Sequence, residues 1–153
     1  MGKKDKTWTP PILEQIEPGQ KGIFTTQDNN TKQIERGHKA TISDYKGAKP
    51  LPVKRRKLTI NISFTQKEYE RMKYGFVPGD NDDRWFIYEE NDIFYFHRFV
   101  TGNCIFVVKF QKQDNVHIPV EILASDEDGP KDDEKSKQSL IDAINYRLLG
   151  KTE

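Results

Sequence analysis

The sequence contains a single cysteine, Cys104, among its 153 residues. An intramolecular disulfide is therefore excluded, and no cluster of cysteines is present that could hold a zinc ion. Long apolar runs are missing too, because no stretch approaches the roughly 18 consecutive apolar residues that a membrane-spanning helix needs. The lysine-rich start is not followed by the hydrophobic region of a signal peptide. Together these absences predict a soluble cytoplasmic protein.

Apolar residues are scarce, at 34% of the chain, against roughly 45 to 50% (glycine included) in globular proteins. The net charge is +1, but residues 1–57 carry 13 Lys or Arg and 6 Asp or Glu, a net of +7. Residues 58–153 carry 12 and 18, a net of −6. Prolines and glycines interrupt the first segment, which cannot bury enough surface to offset its ordering entropy. We expect residues 1–57 to form a basic arm, largely flexible alone, and residues 58–153 to form an acidic domain.

The acidic domain is predicted to begin with a strand and a helix. Residues Leu58–Phe64 alternate between apolar and polar side chains, which is typical of a half-buried strand. Thr65 and Glu68 have the spacing of a capping box, in which each side chain accepts the backbone amide of the other residue. A short helix is therefore predicted to begin here and to end at Gly75.

A further strand and a further helix are predicted after residue 115. Residues Val116–Leu123 alternate, and Pro119, which lacks an amide donor, places this strand at the sheet edge or at a bulge. The charged stretch 126–137 is expected to loop out. Apolar residues then recur at helical spacing, namely Leu140, Ile141, Ile144, Leu148 and Leu149. Gly150 follows them as a C-terminal cap, which predicts an amphipathic helix.

Residues 84–110 hold most of the aromatic and β-branched residues in three runs, which predicts a central three-stranded antiparallel meander. With Asn91–Asp92 and Thr101–Gly102 as two-residue hairpin loops, Trp85 lies beside Arg98. One face is then apolar with a single histidine, and we assign it to the core; its members are Tyr95, His97, Phe99 and Phe106. The predicted fold class is therefore α+β: an antiparallel sheet of about five strands, with a short capped helix and a C-terminal amphipathic helix.

The nearest thing to a site in the sequence is the pair formed by Trp85 and Arg98. An indole offers a stacking surface and a guanidinium offers two parallel donors for phosphate, so the pair can hold a nucleotide-like ligand. The turn residues Thr101, Gly102 and Asn103 would add amide and side-chain donors. The alternative is a cross-strand pair with a structural role only, worth roughly 0.5 to 1 kcal/mol.

Other polar residues indicate structure rather than chemistry. His97 belongs to a residue type whose pKa of about 6.5 suits a general base, but its apolar neighbours favour a buried, hydrogen-bonded histidine. Cys104 is expected to be a small core residue. The acidic run of Asp80, Asp82 and Asp83 lacks the spacing of a calcium loop, which favours a solvated turn. No catalytic residue and no metal site is therefore predicted.

A run of four cations follows the extended, proline-containing stretch 49–53, and it consists of Lys54, Arg55, Arg56 and Lys57. Such a run attracts phosphate backbones or acidic protein surfaces, and we expect it to bind a partner. It has no interleaved aromatic residues, so any contact with nucleic acid is expected to be non-specific. The run equally fits a contact with the acidic domain of its own chain.

Four segments carry a specific order of aromatic, His-Arg and Thr-Gly motifs, and they are Lys73–Pro78, Arg84–Tyr88, Phe94–Arg98 and Thr101–Ile105. This order resembles a family of small uncharacterised bacterial domains, some of which are joined to ADP-ribosylglycohydrolase modules. The resemblance covers about residues 58–150 and departs at Phe99 and Val100, where the family has serine and tryptophan. It implies a site that would suit ADP-ribose or a related nucleotide, formed by Trp85, His97, Arg98, Thr101 and Gly102.

These observations favour a small non-catalytic binding module that recognises a nucleotide or ADP-ribose-like ligand. The alternative is a protein-interaction or inhibitor module whose basic arm orders on a partner protein. An enzyme ranks last, because the sequence offers no nucleophile with a paired base, no carboxylate pair at meaningful spacing and no metal cluster. No cofactor is predicted.

Overall fold

A computed structural model of the protein describes residues 31–151, so the first part of the predicted arm and residues 152–153 lie outside the described residues. The strands of the described part are β1 (Arg55–Leu58), β2 (Phe64–Thr65), β3 (Trp85–Glu90), β4 (Ile93–Arg98), β5 (Cys104–Gln113) and β6 (Val116–Ser125). They form one antiparallel sheet in the order β1-β6-β5-β4-β3, and β2 also pairs with β6. The predicted α+β fold with its central meander is therefore confirmed.

Two helices pack against the sheet, α1 (Gln66–Met72) and α2 (Asp133–Asp142), and α2 continues as a π-helical segment, Ala143–Leu148. The predicted capping box of α1 is present, because the Thr65 hydroxyl accepts the Glu68 amide at 3.1 Å and the Glu68 carboxylate accepts the Thr65 amide at 2.9 Å. Within residues 31–151 no helix is long and apolar enough to cross a membrane.

The prediction of a loop over residues 126–137 is wrong for the second half of that stretch. The Asp132 carboxylate accepts the Lys135 amide at 3.0 Å, and α2 begins at Asp133. A carboxylate at this position accepts a hydrogen bond from an amide that has no partner within the helix. Its negative charge also interacts favourably with the positive end of the helix dipole. The charged composition of the stretch therefore reflects a capped and exposed first turn of helix.

The strand expected over Leu58–Phe64 is wrong over most of its length: only Leu58, in β1, and Phe64, in β2, lie in strands, and these two strands pair with the two halves of β6. Between those halves lies Pro119, opposite Phe110 where the β5–β6 register shifts. Because proline has no N–H group, it cannot donate a hydrogen bond to a continuous neighbouring strand. Pro119 thus marks a bulge, one of the two predicted alternatives, and β6 lies inside the sheet.

The register between β3 and β4 agrees with the prediction, and Trp85 pairs with Arg98. Asn91 and Asp92 both have positive φ, as a tight two-residue hairpin requires. The predicted register between β4 and β5 is wrong by one residue, because the connection runs over residues 99–103 and is followed by a bulge. As a result, Phe96 pairs with Phe106. A slip of one residue exchanges the two faces of a strand.

The assignment of the core face is consequently wrong. The face that carries Trp85, Phe96 and Phe106 packs against both helices and forms the main core. The face of Tyr95 and His97 is covered instead by the chain between residues 38 and 51. There the Tyr45 ring contacts Phe86 at 5.4 Å between ring centroids, and its hydroxyl donates to the Phe99 carbonyl.

The predicted boundary between residues 57 and 58 falls inside β1, and the described part of the arm lies on the domain. The Ala40 amide donates to the Tyr74 carbonyl at 2.8 Å, and the Lys49 amide donates to the Gly102 carbonyl at 2.9 Å. Gln33, which is 2% exposed, donates to the Tyr74 carbonyl through its side chain at 2.9 Å. The described part of the arm therefore packs on the domain, and its residues 38–51 cover the sheet face that the two helices leave open.

Candidate functional site

Trp85 and Arg98 are lateral neighbours on β3 and β4, as predicted, and the Arg98 guanidinium carbon lies 4.6 Å from the centroid of the indole. The indole is only 6% exposed, and Phe106 stacks near it at 6.1 Å with an interplanar angle of 25°. An open stacking surface for a ligand is therefore missing. Trp85 instead packs against the Arg98 guanidinium and holds it in place.

Arg98 faces a cleft of about 680 Å³ between the end of the meander and the C-terminal helix. Cationic residues predominate among its charged lining groups, which are Arg84, Arg98, Lys135 and Arg147 against Asp82 and Asp142. Neutral polar side chains complete the lining, namely Gln138, Ser139 and Tyr146. The cleft thus combines a positive wall with hydrogen-bonding groups contributed by one helix face.

Arg84 and Arg98 are the two guanidinium groups at the meander end of the cleft. Burial lowers the pKa of Arg98, and the nearby charge of Arg84 lowers it further. Among residues 31–151, neither arginine forms an ion pair with a carboxylate. Two like charges held close together without an ion-pair partner favour the binding of an anion.

Arg84 also has a φ of 67°, a conformation that is uncommon for a residue with a side chain. The Phe99 amide donates to the Arg84 carbonyl at 2.7 Å, which ties this backbone to the loop after β4. Such strain persists only where surrounding contacts hold it, and it occurs preferentially at functional sites. The strained residue here is one of the two that present cations to the cleft.

Thr101, Gly102 and Asn103 lie in the loop after β4, beside a smaller cavity of about 310 Å³ that is also lined by Arg84 and Arg98. Thr101 and Asn103 line this cavity. The loop amides are used internally, because Gly102 donates to the Arg98 carbonyl at 2.8 Å and Asn103 donates to the Thr101 hydroxyl at 3.2 Å. The backbone amides of Gly102 and Asn103 are therefore not available to a ligand.

His97 lies on the opposite face of the sheet from Trp85 and Arg98, since adjacent residues of a strand point to opposite sides. It is 2% exposed, and burial lowers its pKa below the ordinary value. The structure thus separates His97 from Trp85 and Arg98, although its Nδ1 lies 3.1 Å from the Gly102 carbonyl oxygen.

The acidic turn after residue 79 is closed by its own hydrogen bonds. The Asp83 carboxylate accepts the Gly79 amide at 2.7 Å, and Asp82 donates its amide to the Asp80 carboxylate at 2.9 Å. No group of three or more metal-binding side chains occurs in the described part of the chain.

The basic run does not present one continuous surface. Arg56 points under the start of α2, where it forms ion pairs with Asp126 and Asp133 at 2.8 Å each. Lys57, on the other face of the strand, is 79% exposed. The predicted contact with the acidic part of the same chain is therefore present for Arg56, whereas partner binding by Lys54, Arg55 and Lys57 stays a prediction.

Sequence reasoning missed Arg84, Lys135 and Arg147 as lining residues of the cleft. Part of the signal was present: positions 135, 138, 139, 142 and 146 are spaced three or four apart, so they share one helix face. No sequence pattern indicated that this face would meet the end of the meander.

Comparison with family models, curated proteins and solved structures found no match for this chain. The resemblance to small bacterial domains noted above therefore stays a prediction.

Proposed function

We propose that the protein is a small non-catalytic binding module that holds a nucleotide or ADP-ribose-like ligand by its phosphate groups. The observation that carries this proposal is the arginine pair, Arg84 and Arg98, which faces one cleft without a carboxylate partner among residues 31–151. A guanidinium binds phosphate through parallel N–H donors, and a partly buried site strengthens this interaction.

The cleft also suits the rest of such a ligand. Its volume of about 680 Å³ lies within the range of roughly 300 to 1,000 Å³ that is common for small-molecule sites. Gln138, Ser139 and Tyr146 would meet the hydroxyl groups or the base. Asp142 already accepts a hydrogen bond from Gln138 at 2.8 Å. Ligand binding by this cleft is therefore better supported than proton transfer to or from a ligand.

Calorimetric titration of the full chain with ADP-ribose and with ADP tests the proposal, and adenosine serves as the matched ligand without phosphate. We expect the phosphorylated ligands to bind and adenosine to bind far more weakly. Arg84→Gln and Arg98→Gln each remove charge-assisted hydrogen bonds worth about 1.5 to 3 kcal/mol, which corresponds to roughly a 10- to 150-fold rise in Kd. Lys57→Gln is the control, because it removes one charge at the opposite edge of the sheet.

Binding should weaken as salt increases, since the attraction is between exposed and partly exposed charges. The proposal fails if none of the phosphorylated ligands binds at millimolar concentration. It also fails if the two arginine variants bind as tightly as the Lys57→Gln control.

A cytoplasmic location is proposed with this function, because Cys104 is a buried free thiol and stable disulfides are rare in that compartment. The alternative, a protein-interaction module whose arm orders on a partner, remains a prediction.

A further inference from the structure

Two cavities of different size meet at the arginine pair. Arg84 and Arg98 line both the larger cleft, of about 680 Å³, and the smaller cavity, of about 310 Å³. Among residues 31–151, these two arginines are the only residues that the two linings have in common. A group that is bound by both arginines therefore lies at the border between two spaces.

The smaller cavity lies between the loop after β4, the start of β5 and the loop after β6. Ile105 is buried at its floor, and the loop after β6 comes so close that a Cβ atom on Gly129 would lie 2.8 Å from Ile105 Cγ2. Thr101 is exposed, and Asn103 and Asp128 are half-buried, so solvent reaches all three residues. A solute can therefore reach the polar residues of this cavity.

Two polar side chains of the smaller cavity have unused hydrogen-bonding groups. Within residues 31–151, the side-chain amide of Asn103 and the carboxylate of Asp128 form no hydrogen bond and no ion pair. An amide offers donors and an acceptor, and a carboxylate accepts hydrogen bonds from hydroxyl groups. The negative charge of Asp128 also repels a further phosphate at this side. A neutral group with several hydroxyls, such as a sugar, matches this set.

The number of arginines and the two spaces beside them indicate a ligand with two phosphates and two end groups. Each guanidinium can bind one phosphate through two parallel N–H donors, so Arg84 and Arg98 together match a diphosphate. A nucleotide with a free terminal phosphate would occupy one of the two cavities. A diphosphate that carries a group at both ends would occupy both, and the larger group would lie in the larger cleft.

We propose that the ligand is a nucleoside diphosphate whose second phosphate is esterified to a sugar. The nucleoside lies in the larger cleft, the diphosphate lies on Arg84 and Arg98, and the sugar lies in the smaller cavity beside Asn103 and Asp128. This inference rests on the function proposed above and narrows it, because it favours diphosphates with two end groups over nucleotides with a free terminal phosphate.

Calorimetric titration of the full chain with ADP-ribose and with the β-methyl ester of ADP tests the role of the smaller cavity. Both ligands are diphosphate diesters of the same charge, but the methyl ester has no sugar on its second phosphate. We expect ADP-ribose to bind at least about fivefold more tightly, as one added hydrogen bond implies. The side-chain amide resonances of Asn103 should shift with ADP-ribose and far less with the methyl ester.

Variants of the smaller cavity should change the preference between the two ligands. Asn103→Ala removes a neutral side chain and should weaken ADP-ribose roughly 2- to 12-fold while leaving the methyl ester unchanged, which also shows that the variant is folded. Asp128→Ala should likewise reduce the preference for ADP-ribose. Glu127→Ala is its matched control, because Glu127 is exposed, carries the same charge and lines neither cavity.

The outcomes separate this inference from the proposed function. If neither ligand binds at millimolar concentration, the proposed function fails and this inference fails with it. If both ligands bind equally tightly and both depend on Arg84 and Arg98, the proposed function stands and the sugar site is refuted. Equal weakening of both ligands by Asn103→Ala would also refute it, because Asn103 would then contact a part that the two ligands share.

Discussion

Arg56 joins β1 to the start of α2, and replacing it with alanine should destabilise the fold. Its guanidinium forms ion pairs with Asp126 and Asp133 at 2.8 Å and donates to the carbonyls of Ser125 and Pro130 at 3.0 Å. The Arg56 side chain is 18% exposed, so most of these bonds form away from water. The hydrogen bond with Asp133 is the main reason why the pKa of Arg56 is raised.

The magnitude follows from these contacts. Charge-assisted hydrogen bonds contribute about 1.5 to 3 kcal/mol each, but the Asp126 and Asp133 side chains are 41% and 58% exposed, and solvent screening reduces their share. We expect Arg56→Ala to lower the free energy of unfolding by about 3 kcal/mol. For a chain of this size that corresponds to a fall in Tm of roughly 6 to 12 °C.

Urea denaturation followed by circular dichroism measures the change, with Lys57→Ala as the control. Lys57 is 79% exposed and 4.0 Å from Glu121, so its loss should cost less than about 0.5 kcal/mol. Arg56→Lys should lie between the two variants, because one ammonium group cannot reach all the acceptors of a guanidinium. Equal stability of Arg56→Ala and Lys57→Ala would refute the assigned role of Arg56.

Three further predictions concern backbone strain, thiol reactivity and pH. Gly75→Ala should lower the free energy of unfolding by at least about 2 kcal/mol, because φ is +72° and a Cβ atom would lie 2.3 Å from the Ile87 carbonyl oxygen. Gly37→Ala, with φ +70° and open space, should lower it by about 1 kcal/mol. Equal losses for the two variants in urea denaturation would contradict this reasoning. Cys104 should react with a disulfide reagent only after unfolding, since burial raises its pKa to about 12, and rapid reaction of the native protein would refute that reasoning. Stability should fall as the pH drops below about 6.5, because the pKa values of His97 and His117 are both lowered in the folded protein, so the unfolded chain binds protons more readily; His97→Gln should reduce this pH dependence, and an unchanged slope would exclude His97 as a cause.

Local patterns in the sequence predicted the elements whose causes lie within a few neighbouring residues. The capping box of Thr65 and Glu68 formed as expected, and so did the hairpin at Asn91–Asp92 that pairs Trp85 with Arg98. These features need only the hydrogen bonds of adjacent residues or a short turn, so the residue order alone determines them.

Which side chains share a sheet face, and which line the cleft of Arg84 and Arg98, depended on the tertiary structure. A loop of five residues and a bulge after β4 shifted the register by one, which exchanged the faces of β5 relative to β4 and brought Phe106 to the face of Trp85 and Phe96. The packing of α2 beside the meander brought Lys135 to the arginine pair, although the two lie far apart in the sequence. The sequence by itself thus determined the capped start of α1 and the tight hairpin between β3 and β4, whereas long-range packing decided which side chains share a site, because one added residue in a strand reverses every side chain that follows it.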